Sequence, residues 1–197
     1  MILFKKGIFK DFDHKITTWD EPTEREFNGK LVKGRPTKGF GDDYSNSFEY
    51  AGKTYTPNAW STPMYQIKVA VEKLVWEELG INKKFTFCLC GYYAKDGKGL
   101  PHHSDTVPTL NDIVVSISLG GPRVFIQRTY QNPVKKYTNT SEINVHKENF
   151  LIDEQFYLLE NGDVLIFDGH NQMNSTHAVG DLEHAEERVN LTFRTGI

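Results

Sequence analysis

Polar and apolar side chains alternate without a break through Arg188-Val189-Asn190-Leu191-Thr192-Phe193-Arg194. With a period of two, Arg188, Asn190, Thr192 and Arg194 share one face and Val189, Leu191 and Phe193 the other, which predicts a strand. Short apolar runs predict further strands at 85–90, 113–119, 124–127, 155–159 and 164–167. Ahead of them lies a polar, irregular segment up to about Trp60, and then the period changes. Ile67, Ala70, Val71, Leu74, Val75 and Leu79 recur at helical spacing, a stripe read as core packing. Thr62 is placed to cap this helix, with Pro63 at its first position and Gly80 at its stop. Strands this short and frequent predict a sandwich or closed jelly roll, so the fold class is mainly β (α+β) with one supporting helix. Residues 129–153 interrupt the strand pattern and are read as an insertion, either a substrate-facing flap or an inert loop.

The polar face of the heptad holds two guanidiniums and no acid. Two readings are open. On a solvated edge strand the pattern carries little meaning. Inside a barrel, the arginines need anionic partners, because burying an unpaired charge is costly. Guanidinium forks match carboxylates, and a dicarboxylate ligand would answer both. Six residues of strand separate the two by about 20 Å at ~3.3 Å per residue, so both side chains would have to lean inward to share one small diacid.

Upstream, Pro101-His102-His103-Ser104-Asp105 precedes an apolar run closed by Gly120-Gly121-Pro122. His103 and Asp105 lie two apart, so extended backbone sends both side chains to one face. One distant histidine added to them makes two imidazoles and a carboxylate. That set occupies one face of an octahedral iron(II) and leaves positions open for cosubstrate and oxygen. His177 is the candidate third ligand, between the apolar run 164–167 and the arginine strand, and His170 is its rival. His102 would point to the opposite strand face, and His14, His146 and His184 have no partner pattern.

The order His-x-Asp, long gap, His, then Arg-x-Asn-x-Thr-x-Arg resembles the AlkB family of iron(II)- and 2-oxoglutarate-dependent dioxygenases, from about Arg35 to Arg194. The resemblance implies a double-stranded β-helix (jelly roll) using Fe(II), 2-oxoglutarate and O2. It implies His103, Asp105 and His177 as iron ligands and Arg188 and Arg194 as the holders of 2-oxoglutarate, with Asn190 and Thr192 between them and Asn190 counted among the cosubstrate contacts. Tyr93 matches a tyrosine that reaches the far carboxylate of the cosubstrate, and Asp105 and Arg194 are the expected catalytic residues. On the substrate side, Tyr50, Arg35, Phe40 and Trp60 are the expected contacts, with packing under the lid or against the helix start as the other reading of Trp60. The implied reaction is oxidative decarboxylation of 2-oxoglutarate to succinate and CO2, coupled to hydroxylation of an N-alkyl carbon on a nucleic-acid base and loss of an aldehyde. DNA repair is the implied setting. The chain departs from the family in two places: Gly91 stands where an asparagine usually precedes the tyrosine by two, and Thr106-Val107-Pro108 replace acids that read the target base.

A length of 197 residues is most simply one domain, with 1–60 as an N-terminal extension and substrate lid and 61–197 as helix plus catalytic core. The net charge of −3 excludes a global basic field, so any nucleic-acid contact rests on a local patch. Lys30, Lys33, Arg35 and Lys38 form an acid-free stretch, either a solvated loop or a basic lid on phosphates. Phe48-Glu49-Tyr50-Ala51-Gly52 resembles the aromatic strand-and-turn of the AlkB lid, where Tyr50 would stack on a base or else pack in the core. Cys88 and Cys90 are the only cysteines and are read as buried structural thiols in a reducing compartment. No apolar run approaches the ~20 residues that span a membrane. The expectation is a monomer in the cytoplasm, or the nucleus if eukaryotic, with alkylated DNA or RNA as partner. Two other readings stay open: an oxygenase of protein or a small metabolite, and a nucleic-acid-binding homologue without turnover.

Overall fold

The structure is a computed structural model describing residues 2–19, 22, 24–27, 30–50, 53–104, 113–138, 141–144, 149–168 and 173–195. In chain order its elements are β1 (Ile2–Lys5), β2 (Glu24–Phe27), β3 (Lys30–Lys33), β4 (Thr37–Gly41), β5 (Phe48–Tyr50), β6 (Lys53–Tyr55) and α1 (Thr62–Leu79). There follow β7 (Phe87–Tyr93), β8 (Leu100–His103), β9 (Ile113–Gly120), β10 (Arg123–Tyr130), β11 (Lys135–Thr138) and β12 (Ser141–Asn144). The chain closes with β13 (Leu151–Leu159), β14 (Val164–Asp168), β15 (Ser175–Val179) and β16 (Arg188–Arg194). A six-stranded antiparallel sheet, β1-β14-β9-β16-β7-β4, packs against a four-stranded one, β13-β10-β15-β8. This is the jelly roll expected. Three hairpins, β2–β3, β5–β6 and β11–β12, stand outside the two sheets.

The alternation of the C-terminal heptad decides what each face of the larger sheet meets. Val189, Leu191 and Phe193 are fully buried in a cluster with Cys88, Cys90, Val115 and Ile117 from neighbouring strands. Met64, Ile67, Val71, Leu74 and Val75 of α1 close over the same cluster, so the helix covers this outer face. Each large apolar side chain so buried contributes roughly 1.5–3 kcal/mol. The opposite face looks toward the smaller sheet, and Val114, Leu165 and Phe167 meet Phe125 and Leu159 between the two.

The helix begins one residue earlier than its sequence signals suggest. Thr62 is already helical, and Ser61 takes the cap position in extended backbone (φ −69°, ψ 159°) without a side-chain capping bond. Gly80 ends the helix as expected, in the left-handed region at φ 67°, with its N–H donating to Trp76 O. Glu72 ties the helix to the sheet, accepting from Phe85 N–H at 3.1 Å and from Lys84 Nζ at 2.7 Å. Lys68 Nζ lies 3.0 Å from the same carboxylate.

The strands differ from expectation mainly at their ends. The predicted strand 85–90 instead runs Phe87–Tyr93, because the Phe85 N–H is taken by Glu72. The expected insertion at 129–153 is smaller than its sequence suggests. β10 continues through Tyr130 and β13 starts at Leu151, leaving the β11–β12 hairpin between them. The predicted strand ranges do not include β1, β4, β8 or β15, although 101–105 was expected to be extended. Each is short, and β4 and β8 carry glycine or proline within them. Cys88 and Cys90 are buried and unbridged, and burial first, then Cys90, raises the Cys88 thiol well above its ordinary range. No helix among the described residues is long and apolar enough to cross a membrane.

Candidate functional site

β8 and β15 pair so that His103 stands directly opposite His177. Opposed residues of an antiparallel pair share a face at close range, and here the imidazole centroids are 4.3 Å apart. His103 Nδ1 lies 2.9 Å from Pro101 O, which can only accept, so this nitrogen carries the proton and Nε2 the lone pair. His177 is 7% exposed and stacks on Phe125 at 5.3 Å, with Phe167 at 6.1 Å. The imidazole thus sits against an apolar wall. Asp105 and His170 lie outside the described residues. His102 Nδ1 meets Thr176 Oγ1 at 3.2 Å, beside rather than within the His103–His177 pair.

The arginine face points into the fold. β16 lies between β7 and β9, and Arg188 and Arg194 are 1% and 3% exposed, so the solvated-edge reading is excluded. Arg188 Nη2 donates to Ser118 Oγ at 2.8 Å, while its Nε and Nη1 find no hydrogen-bond acceptor among the described residues. Burial depresses the Arg188 pKa; Tyr93 acts in the opposite direction, and Arg123 and Arg35 add to the depression. Tyr93 is buried and in register with Arg188. The guanidinium carbons of Arg188 and Arg35 each lie 4.8 Å from its ring centroid. Asn190 donates from its amide to Ser116 Oγ at 3.0 Å and Ile117 O at 3.2 Å, which fixes it against β9.

Three of these residues have no place in the sequence reading. Ser116 and Ser118 alternate inside an apolar run, and that two-residue period was a usable sign that β9 has a polar inner face. Arg123 follows a Gly-Gly-Pro turn and carried no signal. It is fully buried, and its Nη1 donates to Pro122 O at 2.7 Å. No carboxylate among the described residues pairs with Arg35, Arg123 or Arg188.

The expected substrate contacts divide. Phe40 is 4% exposed in the core beside Trp60 and is therefore corrected from a substrate contact to a packing residue. Trp60 is committed to the same packing. Its ring lies 6.3 Å from Phe193 and nearly parallel to it, and its Nε1 donates to Asp42 Oδ1 at 2.6 Å. Tyr50 lies on β5 opposite Lys53 of β6, so the expected aromatic strand is one arm of a hairpin. Arg35 is half-buried against Tyr93, and Lys38 Nζ donates to Thr18 O at 3.2 Å.

The donors present fit the groups the resemblance implies. A facing imidazole pair suits a divalent metal, and a buried arginine with two unsatisfied donors suits a carboxylate. The family model described as the 2OG-Fe(II) oxygenase superfamily matches residues 17–194. Among curated proteins, the alpha-ketoglutarate-dependent dioxygenase alkB homolog 3 of Rattus norvegicus is 28% identical over 154 residues, 75% of this chain and 46% of that protein. The Mus musculus protein of the same name is 27% identical over 154 residues, 75% of this chain and 48% of that protein. The chain therefore spans about half the length of these relatives. A solved structure of OsALKBH1 aligns at a TM-score of 0.49 and 18% identity, covering 99% of this chain and 96% of that one. With its motif order and the inward arginine face, the match over nearly the whole chain means that the protein belongs to the 2OG-Fe(II) oxygenase superfamily, as a member of the AlkB family.

Proposed function

We propose that the protein removes N-linked methyl or other small alkyl groups from nucleic-acid bases by oxidation, consuming 2-oxoglutarate and O2 and releasing aldehyde, succinate and CO2. The observation that carries the oxygenase chemistry is the buried Arg188, lacking an acid partner among the described residues, within the same fold as the facing His103 and His177. The choice of a nucleic-acid base rests on the AlkB resemblance and on the curated relatives.

His103 and His177, with Asp105 just beyond β8, would hold Fe(II). Bound there, iron supplies the oxygen chemistry that side chains lack. The residues of the chain do the rest. Pro101 O keeps the His103 proton on Nδ1, so Nε2 offers its lone pair. Phe125 and Phe167 screen His177 from water. Ser118 fixes the Arg188 guanidinium, which orients one carboxylate of 2-oxoglutarate through its remaining donors. Arg194 and Tyr93 complete the cosubstrate contacts, and Asn190 keeps β16 in place against β9. Lys30, Lys33 and Lys38 would meet phosphates, and Tyr50 would stack on a base.

Incubation with a panel of N-methylated DNA and RNA oligomers, read by mass spectrometry, tests this. Loss of one methyl mass from at least one oligomer is expected. Turnover of methylated peptides with every oligomer unchanged would instead assign a protein substrate.

A further inference from the structure

Gly91 lies two residues before Tyr93 on β7 and stands opposite Asn190, just as Tyr93 stands opposite Arg188. A side chain at position 91 would therefore share the inner face with the cosubstrate arginines. The room for it is already taken. A Cβ at Gly91 would lie 3.0 Å from Arg35 Nε and 3.8 Å from its Cδ and Nη2. The Arg35 guanidinium reaches this gap from the segment just before β4 and rests over Tyr93 at 4.8 Å. Its Nε is buried without a hydrogen-bond acceptor among the described residues, a costly state unless a ligand supplies one. A guanidinium in this position, beside Arg188 and with no described acid for a partner, faces the same requirement for an anion.

We propose that Arg35 is a third cosubstrate-binding arginine, passing through the space left by Gly91 to donate to a carboxylate of 2-oxoglutarate. It does there what a polar side chain at position 91 would otherwise do. The glycine and the arginine are thus one unit: the absence of a side chain at 91 is what admits a charged donor. This rests on the 2-oxoglutarate reading of the site and moves Arg35 from the nucleic-acid side, where the sequence places it, to the cosubstrate side.

The test is calorimetric titration of 2-oxoglutarate into the Mn(II)-loaded protein, with melting temperature measured alongside. Arg35→Met keeps an apolar stem over Tyr93 and removes the donors. It should weaken 2-oxoglutarate binding by about tenfold or more, the loss expected for a charge-assisted bond. Arg35→Met combined with Gly91→Asn should recover most of that affinity, because an amide then fills the vacated gap. A purely structural role for Arg35 predicts no such recovery. Unchanged affinity in Arg35→Met overturns the proposal, as does a loss that Gly91→Asn leaves untouched. Failure of the unaltered protein to bind 2-oxoglutarate would instead sink the cosubstrate reading itself.

Discussion

His103 and His177 face one another across β8 and β15 with ring centroids 4.3 Å apart, and the pairing of those strands shifts register just beyond them, between His177 and Val179. An irregularity of this kind re-aims side chains at the end of a ladder, and functional sites recur beside such places. The two imidazoles reach one point from opposite strands, so neither can be moved without losing the pair.

Removing either imidazole should therefore abolish tight metal binding. Mn(II) affinity, followed by electron paramagnetic resonance, should fall in His103→Ala and His177→Ala by more than the roughly 10–100-fold that loss of an outer-shell partner costs. Asp105→Ala should behave alike. Full affinity in His177→Ala with loss in His170→Ala would reassign the third ligand.

Arg188 should show opposite effects on binding and on stability. Arg188→Met removes a buried charge that lacks an acid among the described residues, so the ligand-free protein should melt at an equal or higher temperature. Binding of 2-oxoglutarate should weaken by about ten- to a hundredfold, corresponding to roughly 1.5–3 kcal/mol for a lost charge-assisted bond. A large drop in melting temperature with unchanged affinity would make the arginine structural.

The heptad Arg188–Arg194 was legible because a period of two survives burial: its apolar side met the helix and its polar side met the site. The histidine pair was legible as a motif, but its geometry was not, since β8 and β15 are too short to show a period. Phe40 was misjudged for a different reason. Aromatic residues in a glycine-rich segment read alike whether they meet substrate or pack on Trp60, and only tertiary packing separates the two. Arg123 and the position of Arg35 were invisible because both depend on contacts across distant strands.

The lid residues should separate by salt dependence. Replacing Lys30 or Lys33 by alanine should weaken oligonucleotide binding about equally across sequences and reduce the salt slope by roughly one phosphate contact. Tyr50→Ala should leave that slope unchanged and cost roughly 1–3 kcal/mol of base stacking. Oligonucleotide affinity indifferent to all of these changes would place the substrate elsewhere.

Glu72 predicts an acid limb in the stability profile. Burial alone would raise its pKa, but hydrogen bonds from Lys84, Lys68 and Phe85 N–H outweigh this and hold it below the ordinary glutamate value. Its contribution is present at neutral pH, above the unfolded pKa, and is lost as pH falls through the folded one. Glu72→Gln should cost about 2 kcal/mol at pH 7 and flatten the acid limb of denaturant unfolding below about pH 4.5. A variant with the same acid limb as the unaltered protein would rule this residue out as its source.

The most direct test of the account is the stoichiometry of succinate to aldehyde on an N-methylated oligonucleotide, measured with Fe(II), 2-oxoglutarate and O2 present. One aldehyde per succinate is expected once methylated oligomer is in excess, with neither product formed when iron is chelated. Succinate that accumulates at the same rate without any matching aldehyde, whichever methylated oligomer is supplied, would contradict it.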